Sequence, residues 1–89
     1  MPRVEVPPRY RVPTGGEASI EVSAKTVRGC IEAVEDKYPG FQKLVFDSKG
    51  VQKLFVSFFI NGEALARDEI ETPLKQDDSL EIVAAIAGG

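Results

Sequence analysis

One stretch of this 89-residue chain carries a sustained helical period, and it limits what the rest can become. In TVRGCIEAVEDKYPG, residues 26 to 40, Val27, Cys30, Ile31, Val34 and Tyr38 fall at i, i+3, i+4, i+7 and i+11. Arg28, Glu32, Glu35 and Asp36 take the opposite side. This is the pattern of an amphipathic helix, with Thr26 as its N-cap and Pro39-Gly40 ending it after Tyr38. A single helix covers one face of whatever sheet the flanking segments build. The other face must meet solvent or a partner.

The flanks read as strands. Val4 and Val6, then Tyr10 and Val12, alternate around Pro7-Pro8, which predicts a strand broken where the ladder donors are missing. PTGG at 13 to 16 makes a turn, and Ala18, Ile20 and Val22 line one side of a second strand, so residues 3 to 23 form a hairpin with an irregular first arm. After the helix, Phe41, Leu44, Val45 and Phe46 lack a sustained period and suit a short helical turn or compact loop closing at Gly50. LFVSFFI, followed by Asn61-Gly62, predicts a type I′ hairpin with a short return strand in EALA, because both turn positions require positive φ. RDEIETPLKQDD is turn-rich, with Ile70 and Leu74 as anchors, and Leu80, Ile82, Ala84 and Ile86 alternate along a last strand.

Strand, strand, helix, strand, short strand, strand is the order of an α+β domain of the β-grasp, or ubiquitin-like, type. The expectation is a mixed sheet of four to five strands with one main helix packed on one face. Residues 1 to 87 would form the β-grasp domain, and Gly88-Gly89 a flexible C-terminal tail.

Composition narrows the chemistry. At this length, 43% apolar residues supply one core and not two. No apolar run approaches a membrane span, and the N-terminal segment lacks the continuous apolar stretch of a signal peptide, so a cytoplasmic protein without membrane contact is expected. The first thirteen residues are basic, with Arg3, Arg9 and Arg11 against Glu5. From Glu63 to Glu81, seven acids stand against Arg67 and Lys75, and the formal net charge is -3. An acidic segment of this kind makes nucleic acid an unsuitable partner and reads either as a solvated face or as a docking surface for a basic protein.

The chain has no histidine, which removes the usual general base near neutral pH and the imidazole metal ligands. Its one cysteine, Cys30, lies on the apolar stripe of the helix and reads as core packing in preference to a reactive thiol. Neither an internal disulfide nor a metal site is expected. The glycines are scattered, without the strand-loop-lysine pattern of a phosphate cradle, so no bound nucleotide or other cofactor is expected.

The ending, EIVAAIAGG, is the exception to this plainness. An apolar alternation carried almost to the carboxylate fixes where an arm begins, and a pair of glycines without Cβ atoms makes a strand thin enough for a narrow channel. The α-carboxyl of Gly89 is ionised at neutral pH. It can attack the α-phosphate of ATP held by another protein, giving an acyl adenylate that donates to sulfur or amine nucleophiles. Positioning and electrostatics would come from that partner. An incidental glycine pair on a plain binding module would give the same letters.

On PPRYRVPTGG, TVRGCIEAVEDKYPG, FVSFFINGE and DDSLEIVAAIAGG, the chain resembles the ThiS/MoaD family of ubiquitin-like sulfur carriers over nearly its whole length, in particular the longer bacterial carriers that serve thiocarboxylate-dependent cysteine synthesis. The resemblance implies that Gly89 is adenylated by an E1-like enzyme that uses ATP. Ile86, Ala87 and Gly88 would occupy the activating enzyme's channel, and the resulting thiocarboxylate would donate sulfur to a biosynthetic acceptor enzyme. Related carriers serve molybdopterin and thiazole synthesis, and a modifier conjugated to lysines would begin from the same activated glycine. Many relatives carry proline where this chain has Ala84, so strand pairing is expected to run further here. In FVSFFI, alternation puts Val56, Phe58 and Ile60 on one side and Phe55, Ser57 and Phe59 on the other. If the first set faces the helix, Phe55 and Phe59 are available to a partner. Burial beneath residues 41 to 53 is the alternative.

Overall fold

The expected strands assemble into one sheet in the computed structural model, which describes residues 1 to 85. The proposed domain limit at residue 87 and the diglycine tail lie outside the described residues. In chain order the elements are β1 (Arg3–Glu5), a 3-10 turn (Pro8–Tyr10), β2 (Ser19–Glu21), α1 (Val27–Lys37), α2 (Gln42–Val45), β3 (Val56–Ile60), β4 (Glu63–Ala64) and β5 (Ser79–Ala84). The sheet order is β2-β1-β5-β3-β4. β1 and β5 run parallel at its centre, and the other pairs are antiparallel. This is the mixed five-stranded β-grasp sheet, with α1 laid across one face.

Register explains the core. Ile20, Val4 and Leu80 lie opposite one another across β2, β1 and β5, and Phe58 and Val56 of β3 pair with Ile82 and Ala84. These side chains share a face with the stripe Val27, Cys30, Ile31 and Val34 of α1, all fully buried. Phe41, Val45 and Phe46 close one end of the core and Ile70 and Leu74 contribute from the β4–β5 connection, as their anchor role required. The Thr26 hydroxyl caps α1 by accepting the Gly29 amide at 3.0 Å, and Leu74 donates its amide to the Lys25 carbonyl, fastening the connection beside the helix start.

The first hairpin departs from the alternation expected for it. Tyr10 and Val12 do not continue β1. Pro7 and Pro8 offer no amide to a ladder, and their fixed φ suits a tight turn, so the chain enters the 3-10 turn, closed by Tyr10 donating to the Pro7 carbonyl at 2.9 Å. Tyr10 is buried, but Val12 is 88% exposed. The wide turn that follows is organised by Thr14, fully buried, whose hydroxyl lies within hydrogen-bond distance of the Arg11 and Glu17 carbonyls.

The second hairpin is as expected. Asn61 and Gly62 hold φ of 52° and 86°, the signature of a type I′ turn. The Asn61 side chain does more than tolerate that backbone: it accepts the Ser79 amide and donates to Asp78, tying the turn to the start of β5.

Candidate functional site

The described chain closes with the end of β5 and Ala85. The β3–β5 register continues past the named strands, from Asn61 opposite Ser79 to Phe55 opposite Ala85. Ala85 donates its amide to the Phe55 carbonyl at 2.8 Å. Pairing therefore does reach beyond Ala84. Because antiparallel residues alternate in the direction of their bonds, the Ala84 amide faces away from β3, toward the side that β1 vacates when it turns off at Pro7. Proline at this position would thus cost β3 no bond. Clefts open on both sides of this strand end. One, of about 540 Å³, lies where β1 has departed, among Pro7, Pro8, Arg11 and Ile82. The other, of about 300 Å³, is lined by Arg9, Tyr10, Leu44, Lys53 and Phe55 beside Ala84 and Ala85.

The open sheet face leads to the same place. Ser19, Glu5, Glu81, Phe59 and Ala64 follow one another across the strands, and Val83 pairs with Ser57 one step along. Phe55 is 44% exposed and Val83 38%, with Leu54 at 86% beside them. Phe59 is half-buried. Val56 and Phe58 are the members that face the helix, so the structure puts Phe55 and Phe59 on the uncovered side, and the segment 41 to 53 does not bury Phe55. Ile86, Ala87, Gly88 and Gly89, the expected channel residues and reactive terminus, lie outside the described residues.

Arg67, counted above only as a charge in an acidic segment, is built into this site. Its guanidinium donates to four carbonyls, those of Gln52 (3.3 Å), Lys53 (3.1 Å), Leu54 (2.7 Å) and Val56 (3.4 Å). Gln52, itself buried, donates to the Val56 carbonyl and accepts the Asp68 amide, and Asp68 takes a left-handed φ of 68°. No spacing rule signals such a contact, since an arginine in a polar turn reads as solvated.

The remaining candidates behave as structure. Cys30 is fully buried, and burial pushes its thiol up to about 11, far from the thiolate a nucleophile needs. Glu35, Asp47 and Asp78 are held below the usual carboxylate range. Glu35 accepts the Gln42 and Gly40 amides, Asp47 those of Val51 and Lys49, and Asp78 the Lys75 amide and the Asn61 side chain. Each fastens a loop. Among the described residues no group of three acidic or cysteine side chains is arranged to hold a metal, and no helix is long and apolar enough to cross a membrane.

A mixed sheet in this strand order, with one main helix across one face, defines a ubiquitin-like β-grasp protein. Comparison with known proteins refines the class. Residues 4–89 match the ThiS family, and the chain belongs to it. It is 32% identical to the sulfur carrier protein CysO of Mycobacterium tuberculosis, covering 97% of this chain and 96% of that protein. Among solved structures it is similar to a chain of the BexX/CysO complex of Amycolatopsis orientalis, with 30% identity, a TM-score of 0.90 and full coverage of both chains. It is also similar to Mycobacterium tuberculosis CysO, with 28% identity and a TM-score of 0.87 over 97% of this chain and 100% of that one.

Proposed function

We propose that this chain is a sulfur carrier, a substrate and shuttle whose chemistry is performed by partner enzymes. In this reading the Gly89 carboxylate attacks the α-phosphate of ATP in an E1-like enzyme and expels pyrophosphate. A sulfur donor then displaces AMP from the acyl adenylate, leaving a terminal thiocarboxylate. An acceptor enzyme takes that sulfur into a biosynthetic product, most directly cysteine. ATP stays with the activating enzyme, and the carrier holds no cofactor of its own.

The observation that carries this reading is the near full-length likeness to a protein named a sulfur carrier, joined to a family match that runs through residue 89. The likeness to a carrier solved in complex with another protein supports a life spent docking. Physical chemistry supplies the rest. Ile86, Ala87 and the glycines would occupy the channel, with Ala87 and the glycines in its narrow part, since residues with little or no side chain fit where bulk would not. Phe55 and Phe59 would seat the folded head, because aromatics flanked by polar residues are what protein interfaces use as anchors. We assign this work to the cytoplasm, where ATP and activating enzymes are found.

Intact mass spectrometry tests the proposal. After incubation with the activating enzyme, ATP and a sulfur donor, the chain should gain the mass difference of one oxygen replaced by sulfur. Larger species linked through lysine would instead identify a protein modifier, and an unchanged mass would leave a plain binding module.

A further inference from the structure

We propose that Arg67 is the positioning residue for the end of β5: by gathering the carbonyls on either side of Phe55 it fixes the Phe55 carbonyl that accepts the Ala85 amide, and so the base from which Gly89 is presented. The proposal builds on the carrier reading above.

All five consecutive carbonyls from Gln52 to Val56 have partners, and they divide in an informative way. Arg67 takes those of Gln52, Lys53, Leu54 and Val56. The one it leaves, that of Phe55, accepts the Ala85 amide. The same turn is thus held from one side by a guanidinium and holds the end of β5 on the other. Apart from this arginine the turn is held at its two ends, where Gln52 is buried, bridges with Phe46, donates to the Val56 carbonyl and accepts the Asp68 amide, Lys53 donates to the Val45 carbonyl, and buried Val56 donates to the Lys53 carbonyl. Leu54 and Phe55 are too exposed to pin it by packing.

Arginine suits the task because its planar fork presents five donors in fixed directions, enough to bridge several carbonyls at once. Lysine would offer a point charge on a flexible stem. Without the fork the Gln52 and Leu54 carbonyls, which have no other partner among the described residues, turn to water, the Phe55 carbonyl between them and Val56 drifts, and the Ala85 amide loses its hold. Gly89 follows four residues after Ala85, so a loosened strand end delivers its carboxylate less accurately, and misplacement of a reacting group is expensive in rate. The Phe55 side of the arm-base cleft, which also includes Lys53, would move with it.

Two readouts separate positioning from mere stability. Amide hydrogen exchange on the free chain compares Ala85 with Glu81 and Val83, its neighbours on the same ladder. In Arg67→Ala, Ala85 should exchange on the order of tenfold faster while Glu81 stays unchanged, with Arg67→Lys intermediate, as expected for local opening. In ATP-dependent adenylation, Arg67→Ala should lower kcat on the order of tenfold with the KM for the carrier within about twofold. Exchange that rises equally at all three amides, or an unmoved Ala85, overturns the proposal, as does an unchanged kcat. If the wild-type chain itself is not adenylated, the carrier reading fails and the arm role goes with it, whatever Ala85 does.

Discussion

The two faces of the sheet are made by the same strands and do opposite work. Under the helix, Val4, Ile20, Val56, Phe58, Leu80 and Ile82 are buried together. One residue along each strand, Arg3, Glu21, Ser57 and Glu81 are exposed, interrupted by half-buried Phe59 and by Val83, and the patch runs on to Phe55. Strand alternation makes this division absolute: a step of one residue moves a side chain from the group that determines whether the chain folds to the group that determines what it meets. A small domain has little core to spare. Apolar side chains left on the open face are therefore candidates for recognition.

The adjacent phenylalanines test the division most severely. Phe58→Ala removes a fully buried ring that also meets Phe46 at a centroid distance of 6.4 Å, and should cost about 3–5 kcal/mol in urea unfolding. Phe59→Lys should shift unfolding by less than about 1 kcal/mol, since it faces Glu81 across the ladder. It should nevertheless weaken binding to the activating enzyme on the order of tenfold or more, measured by calorimetry. Comparable unfolding losses in the two variants would erase the distinction between faces.

A smaller effect belongs to neither face. Glu35, Asp47 and Asp78 have folded pKa values below their ordinary ones. A depressed carboxylate stabilises the fold above its unfolded pKa, and that stability is lost as pH falls through the folded value. The urea midpoint should be level from neutrality to about pH 5 and fall below about pH 4. Glu35→Gln should lower the neutral plateau and reduce the acid slope. The smallest effect is expected at the strand end: Ala84→Pro, whose lost amide faces away from β3, should change the urea midpoint little and leave Ala85 protected from exchange. Loss of that protection would show that the ladder direction is wrong.

Much of this was legible in the letters. The helix stripe from Val27 to Val34, the Thr26 cap and the Asn61-Gly62 turn follow from periodicity and from conformations that few residues accept. Their structural counterparts match because local and tertiary preferences agree there. Tyr10 and Val12 were misread for a physical reason. Alternation was counted across two prolines, which bend the chain into a 3-10 turn that buries one residue and exposes the other. Arg67 and the Asn61–Asp78 pair were invisible because their partners lie more than ten positions away, and Gln52 because its partners are backbone groups, one of them sixteen positions away. Sequence pattern reports what a residue does to its neighbours in the chain. It is silent on which distant carbonyls a side chain will gather. The candidate site divides in the same way: Phe55 and Phe59 could be named in advance, but the turn that holds Phe55 could not, and Gly88 and Gly89 lie outside the described residues.

The central claim is that Gly89 carries the reacting carboxylate and the folded head only delivers it. Thiocarboxylate formation by a chain lacking Gly89 tests this most directly, compared with the full chain under the same activating enzyme, ATP and sulfur donor. The account predicts no thiocarboxylate from the shortened chain and an unfolding curve that overlays the parent's. Equal thiocarboxylate yields from the two chains would contradict it.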